Sequence, residues 1–182
     1  MDASEMFDCF SSVSINGNPE SLPEYGFYDY PLTRFDFQSR LEEGGECSLG
    51  LEEKGRLIAY VLAFPFCKTH NMNLRGDLVL RSIQCPHDVV YLDQLFMKPG
   101  LPAHDIGRLL DTWTKVVQDN KPQGVVSAIP QKPWRNAAST RLAIHRGFRR
   151  VGKVGNEKLE LGIWSKPLWR AGEETYDVAV EF

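Results

Sequence analysis

The sequence predicts an α+β chain in three layers, α/β/α, built on a mixed central sheet. Three observations carry that expectation. The apolar run Val89–Met97 (VVYLDQLFM) reads as a buried strand, and Ile106, Leu109, Leu110, Trp113 and Val117 then repeat at helical spacing. A second strand-then-helix pair follows, GVVSAI at 124–129 and then residues 136–146. Runs rich in β-branched and aromatic residues flank this core on both sides, 47–51 with 57–65 and 148–154 with 158–164.

In chain order, residues 10–15 (FSSVSI) read as a first strand, and NGNPESLP is a turn-rich break. Leu32, Phe35 and Leu41 are spaced for one face of a helix over 32–41. Two strands then meet across EEKGR, and a polar loop at 68–76 leads to LVLRSI, which suits a strand or irregular chain. The helix after Met97 ends at Asn, Pro and Gly within 119–124, and Gly147 stops the second helix. A hairpin closes across VGNE, and TYDVAV in the acidic tail suits an extra strand.

The 182 residues suit one domain, 1–182, with its core at about 47–168 and an acidic extension at 169–182. The net charge of −3 argues against a broad nucleic-acid surface, though not against a local basic site. The first residues have no basic n-region and no long apolar run, so neither a secretory signal nor a membrane span is expected. Four widely spaced cysteines (Cys9, Cys47, Cys67, Cys85) read as free thiols of a cytoplasmic protein. Cys67, His70, Cys85 and His87 have zinc-ligand chemistry, but the second pair is tightly spaced and no metal is assigned.

The segment 97–110, MKPGLPAHDIGRLL, reads as a strand end, a loop and a helix start, where free N–H groups and the helix dipole favour an anion. With NAASTRLAIHRGF at 136–148, it resembles the cofactor-binding core of the GNAT acetyltransferase superfamily. Met97-Lys98-Pro99 falls on the family's V-x-P. Residues 102–107 fall on R/Q-x-x-G-x-G/A, of which only Gly107 is retained. Asn136, Leu142, Gly147 and Phe148 match N-x-x-A-x-x-L-Y-x-x-x-G-F in register. The resemblance covers roughly 47–168.

It implies acetyl-CoA as cosubstrate, with pyrophosphate on the backbone amides of Ala103, His104, Ile106, Gly107 and Arg108. Pro102 has no N–H to give. Asp105, in place of a glycine, either repels the phosphates or turns away to cap the helix. Asn136 either caps its helix or meets the pantetheine arm. Amides at the Leu95–Met97 strand end polarise the thioester carbonyl.

The implied reaction is acetyl transfer to an amine of a small molecule or protein, so a base must take the amine proton. Asp93 is the candidate, since a carboxylate inside an apolar strand needs a reason to be there. The other reading is a buried Asp tied to a backbone group or an Arg. Period-2 alternation puts Tyr91, Asp93, Leu95 and Met97 on one face, with Tyr91 as a helper or simply packed. Ala143 occupies the position of the family's acidic tyrosine. His145 points to another face, leaving Tyr60 or water.

Tyr25, Phe27, Tyr28, Tyr30, Phe35 and Phe37 sit among Glu20, Glu24, Asp29, Asp36, Glu42 and Glu43. That mixture suits an amine acceptor, or equally a core with a solvated acidic face. A non-catalytic CoA-binding or regulatory domain and an enzyme for longer acyl groups are the alternatives. A homodimer is compatible with either.

Overall fold

The computed structural model describes residues 1–14, 32–72, 83–84, 88–168 and 179–180. Six strands hydrogen-bond in the order β1-β2-β4-β5-β7-β6, a mixed sheet in an α+β chain with four helices among the described residues. The chain divides into two compact units, Met1–Phe64 with Leu92–Asn120, and Pro65–Tyr91 with Lys121–Phe182.

The first unit begins with a helix, α1 (Ala3–Ser11), where residues 10–15 were expected to start a strand. Asp2 explains the difference: its carboxylate caps the helix by accepting from the Ser4 and Glu5 amides at 2.9 and 3.1 Å. Ala3, Met6 and Phe10 then form one buried helical stripe. Helix α2 (Arg34–Gly44) starts at a capping box. The Thr33 amide donates to the Asp36 carboxylate at 2.7 Å, and the Asp36 amide donates to Thr33 Oγ1. Leu32 and Phe37, before the cap and four residues into the helix, share the same apolar cluster with α1. Phe37 meets Phe10 edge-on at 5.5 Å.

Strands β1 (Leu49–Glu53) and β2 (Arg56–Pro65) form an antiparallel hairpin, and Leu57, Tyr60 and Leu62 of β2 complete that cluster. Helix α2 comes so close to β2 that a Cβ on Gly44 would overlap the Ala63 carbonyl oxygen and Phe64. Residues 92–97 of β4 (Val89–Met97) and helix α3 (Ala103–Asp119) finish the unit. Leu109, Leu110, Trp113 and Val117 are the buried stripe of α3, and the Trp113 indole donates to the Cys47 carbonyl at 2.8 Å.

In the second unit, β4 pairs in parallel with β5 (Gly124–Lys132) from Val89↔Gly124 to Tyr91↔Val126. Strands β6 (Arg149–Gly155) and β7 (Glu160–Pro167) form the expected hairpin, and β7 lies antiparallel to β5. Between β5 and β6 runs helix α4 (Ala137–His145). It ends in a Schellman turn: the Phe148 amide donates to the Ala143 carbonyl and the Gly147 amide to that of Ile144, with Gly147 at φ +80°. The expected strands near 78–83 and in the tail are two residues each, β3 (Ile83–Gln84) against β8 (Ala179–Val180). Tyr25, Phe27, Tyr28, Tyr30, Cys85 and His87 lie outside the described residues. No helix among the described residues is long and apolar enough to cross a membrane.

Candidate active site

The anion site is built at the opening of α3. The N-cap is Pro102, not Asp105, and it makes no side-chain cap. The Pro102 carbonyl accepts from both the Asp105 and Ile106 amides, at 3.0 and 3.4 Å. Gly107 and Arg108 lie more than a turn inside the helix, where each amide donates to the carbonyl four residues back. Of the five expected amide donors, Ile106, Gly107 and Arg108 are therefore committed to the helix. Ala103 and His104 occupy the first two helical positions, whose N–H groups face outward with the positive end of the dipole. The Asp105 side chain meets the exposed His104 ring at 3.3 Å.

Asp93 is not a lone carboxylate. Arg40 of α2 donates from Nε to Asp93 Oδ2 at 2.9 Å, with 1% and 5% of the two side chains exposed. A second guanidinium nitrogen donates to the Asp36 carbonyl of the same helix at 3.1 Å. Burial pushes the Asp93 carboxyl above the usual carboxylate range, while Arg40, by charge and hydrogen bond, and Gln94 pull it down.

The expected alternation of β4 fails beside this residue. The Tyr60 hydroxyl donates to Gln94 Oε1 at 2.8 Å, and the Tyr60 ring stacks on Phe96 at 5.4 Å. Gln94 and Phe96 thus point to the α1–α2 cluster that contains Tyr60 and Phe96. Asp93, the immediate neighbour of Gln94, reaches α2 as well. Two successive side chains on one side break the pleat between 93 and 94, so Asp93 does not share a face with Leu95 and Met97. Beyond the break the backbone is regular. The Lys98 amide donates to the Ile58 carbonyl of β2 at 2.9 Å, so the amides of Leu95 and Met97, of opposite parity, point to the other edge of β4.

Tyr60 is fully buried and its proton is engaged by Gln94. Tyr91 is buried edge-on against Phe66 at 5.9 Å. Asn136 caps α4, its Oδ1 accepting from the Ser139 amide at 3.0 Å, while its own amide donates to the Pro130 carbonyl. Phe37 is core, Asp36 belongs to the capping box and Phe35 is exposed, so these three do not gather as an acceptor pocket. Sequence reasoning missed Arg40, which lies with Phe37 and Gly44 on the buried side of α2 and carries no local signal of its partner. Among the described residues, no group of three or more His, Cys, Asp and Glu side chains is placed to hold a metal ion. The Cys9 and Cys47 thiols are free, and burial pushes both up, Cys47 to about 11.

No family model matches the chain, and no curated protein matches it by sequence. Solved structures do match. The ribosomal-protein-S18-alanine N-acetyltransferase from Escherichia coli is 16% identical, with a TM-score of 0.60 over 96% of this chain and 93% of that one. A GNAT-family protein from Desulfovibrio desulfuricans is 13% identical, with a TM-score of 0.59 over 91% and 92%. The fold is that of the GNAT acetyltransferases. A third structure with the GNAT fold, yncA from Salmonella typhimurium with its cofactor acetyl-CoA, is 16% identical, with a TM-score of 0.55 over 95% and 94%. In this chain Pro102 and Asp105 stand at the opening of α3 and Ala143 lies in α4.

Proposed function

We propose that this protein is an N-acetyltransferase, moving the acetyl group of acetyl-CoA directly to an amine. The observation that carries the reading is the opening of α3 at the end of β4, within a fold shared with acetyltransferases. The amides of Ala103 and His104 and the helix dipole receive the pyrophosphate, and Asp105 opposes it. The amides of Leu95 and Met97 receive the thioester oxygen as negative charge develops on it. Asn136 orients its helix by capping, and Tyr91 supports β4 by packing.

In the transfer, the amine nitrogen bonds to the acetyl carbon, the carbon–sulfur bond breaks and the thiolate leaves. Asp93 takes the amine proton, directly or through water, with Arg40 holding its carboxylate in place. A thiolate with a conjugate acid near pKa ~8.5 leaves without a strong acid, so neither Ala143 nor the engaged Tyr60 needs a replacement.

Titration with acetyl-CoA followed by thermal unfolding tests binding. A panel of amines followed by free-thiol release tests transfer. A rise in melting temperature with thiol release is expected. No rise removes the cofactor reading. A rise without thiol release for any amine favours a non-catalytic CoA-binding domain, which the Arg40–Asp93 pair and Asp105 would suit.

A further inference from the structure

We propose that one face of the β5–β7–β6 sheet binds a phosphate dianion, free or as a monoester, between Lys132, Arg150, Lys153 and the indole N–H of Trp164. Strand pairing sets these residues on one side. Along β7, Glu160, Gly162 and Trp164 alternate onto the same face. Directly paired residues share a face, and the partners are Lys132 for Glu160, Lys153 for Gly162 and Arg150 for Trp164. The contacts agree. Glu160 meets Arg150 at 3.4 Å, Lys153 at 3.5 Å and Lys132 at 3.8 Å. A Cβ built on Gly162 would lie 3.1 Å from Trp164 Nε1, 3.4 Å from Gln131 Cγ and 3.5 Å from Arg150 Nε.

Three features of this group call for an anion. The first is an unmet donor. Trp164 is 6% exposed, and its indole N–H is buried with no acceptor among the described residues. A buried donor left unpaired is costly, and the Trp113 indole in the first unit does find a carbonyl. The second is charge. Three cations share one carboxylate, so among the described residues the group has a surplus of two positive charges, the match for a dianion. The third is shape. With no side chain at Gly162, the Trp164 and Arg150 nitrogens converge above the bare strand. Gln131 walls the notch, fixed by bonds from its Nε2 to the Ile129 and Pro130 carbonyls at 3.2 and 3.0 Å.

The cations are available to a ligand. Arg150 donates from Nε to the Gly152 carbonyl and from a terminal nitrogen to Glu160, which leaves the rest of its five N–H groups. The side chains of Arg150, Lys132 and Lys153 are 43, 52 and 59% exposed, so an anion reaches them from solvent. Exposed ion pairs contribute little to stability, so Glu160 gives up a partner easily. Cations on the edge strand β6 also discourage strand-to-strand aggregation. That purpose accounts neither for Lys132, on the interior strand β5, nor for the unmet indole N–H. A phosphate monoester supplies nearly two charges and three acceptor oxygens, and the Arg fork fits it in paired hydrogen bonds.

The test follows the Trp164 indole N–H by proton–nitrogen NMR, its peak assigned by its loss in Trp164→Phe. The protein is titrated with inorganic phosphate or with phosphoserine at about pH 7.5, where the monoester is a dianion, with ionic strength held constant. No cofactor is present, so the result is independent of the acetyl-transfer reading. A saturable downfield shift of the Trp164 peak is expected, with the Trp113 peak unmoved. The tighter of the two ligands tells whether the natural source is free phosphate or an ester. Arg150→Gln weakens binding at least about tenfold, the worth of one charged hydrogen bond, and Lys132→Gln/Lys153→Gln does the same. Both change only exposed side chains, and the Trp113 peak in its usual place shows that each is folded. The proposal is overturned if the Trp164 peak fails to saturate with either ligand, or if both variants bind as tightly as the unaltered protein. It is equally overturned if succinate, of equal charge, binds as tightly as phosphate.

Discussion

Arg40 and Asp93 neutralise each other's charge in a buried setting. Two buried ions are tolerated because the guanidinium also reaches the Asp36 carbonyl. Removing one partner strands the other, so Arg40→Met is expected to lose about 3–5 kcal/mol in urea unfolding. The same pair sets a pH dependence. Burial raises the Asp93 carboxyl and Arg40 lowers it, and only the deprotonated form accepts a proton. Activity therefore falls as pH drops through the folded-state pKa. Loss of Arg40 removes a lowering influence, so the acid limb of kcat/KM in Arg40→Met moves to higher pH. A limb that stays put or moves down in a pH–rate profile would contradict Asp93 as the base. Stability runs the other way. A carboxyl raised by folding opposes folding at neutral pH, and that cost is relieved as pH falls through the raised value toward about 3.9. The ion pair was only half legible in the sequence. An Asp inside VVYLDQLFM signals an unusual carboxylate, but its partner lies 53 residues upstream, and nothing local to Arg40 announces it.

At the scale of elements, the strand–helix alternation from 89 to 168 was legible because periods of 2 and 3.6 differ clearly in long segments. The N-terminus was misread because FSSVSI alternates like a strand, whereas the deciding residue, Asp2, lies eight positions before that segment begins. The break in β4 was invisible, since a run apolar on both faces carries no register. Two substitutions test these elements. Gly44→Ala places a methyl group where α2 meets β2, and thermal unfolding should show a loss of about 1–3 kcal/mol. Asp105→Asn removes a charge from the opening of α3 while leaving the Pro102 cap in place. A like-charge repulsion of about 1 kcal/mol in water corresponds to roughly fivefold tighter acetyl-CoA binding, measurable by calorimetry. Unchanged or weaker binding would place the pyrophosphate elsewhere.

For the molecule as a whole, composition indicates an ordinary globular protein, and its pI near 5.8 indicates a mild acid. That average conceals a basic stretch at 121–168, against an acidic remainder. The segregation has a practical consequence at the bench. Retention on an ion-exchange resin follows the local patch a bead meets rather than the sum over the chain. At pH 7 and low ionic strength this protein should be held by a sulfonate column as well as by a quaternary-amine one, and Arg141→Gln/Arg149→Gln should elute earlier from the former alone.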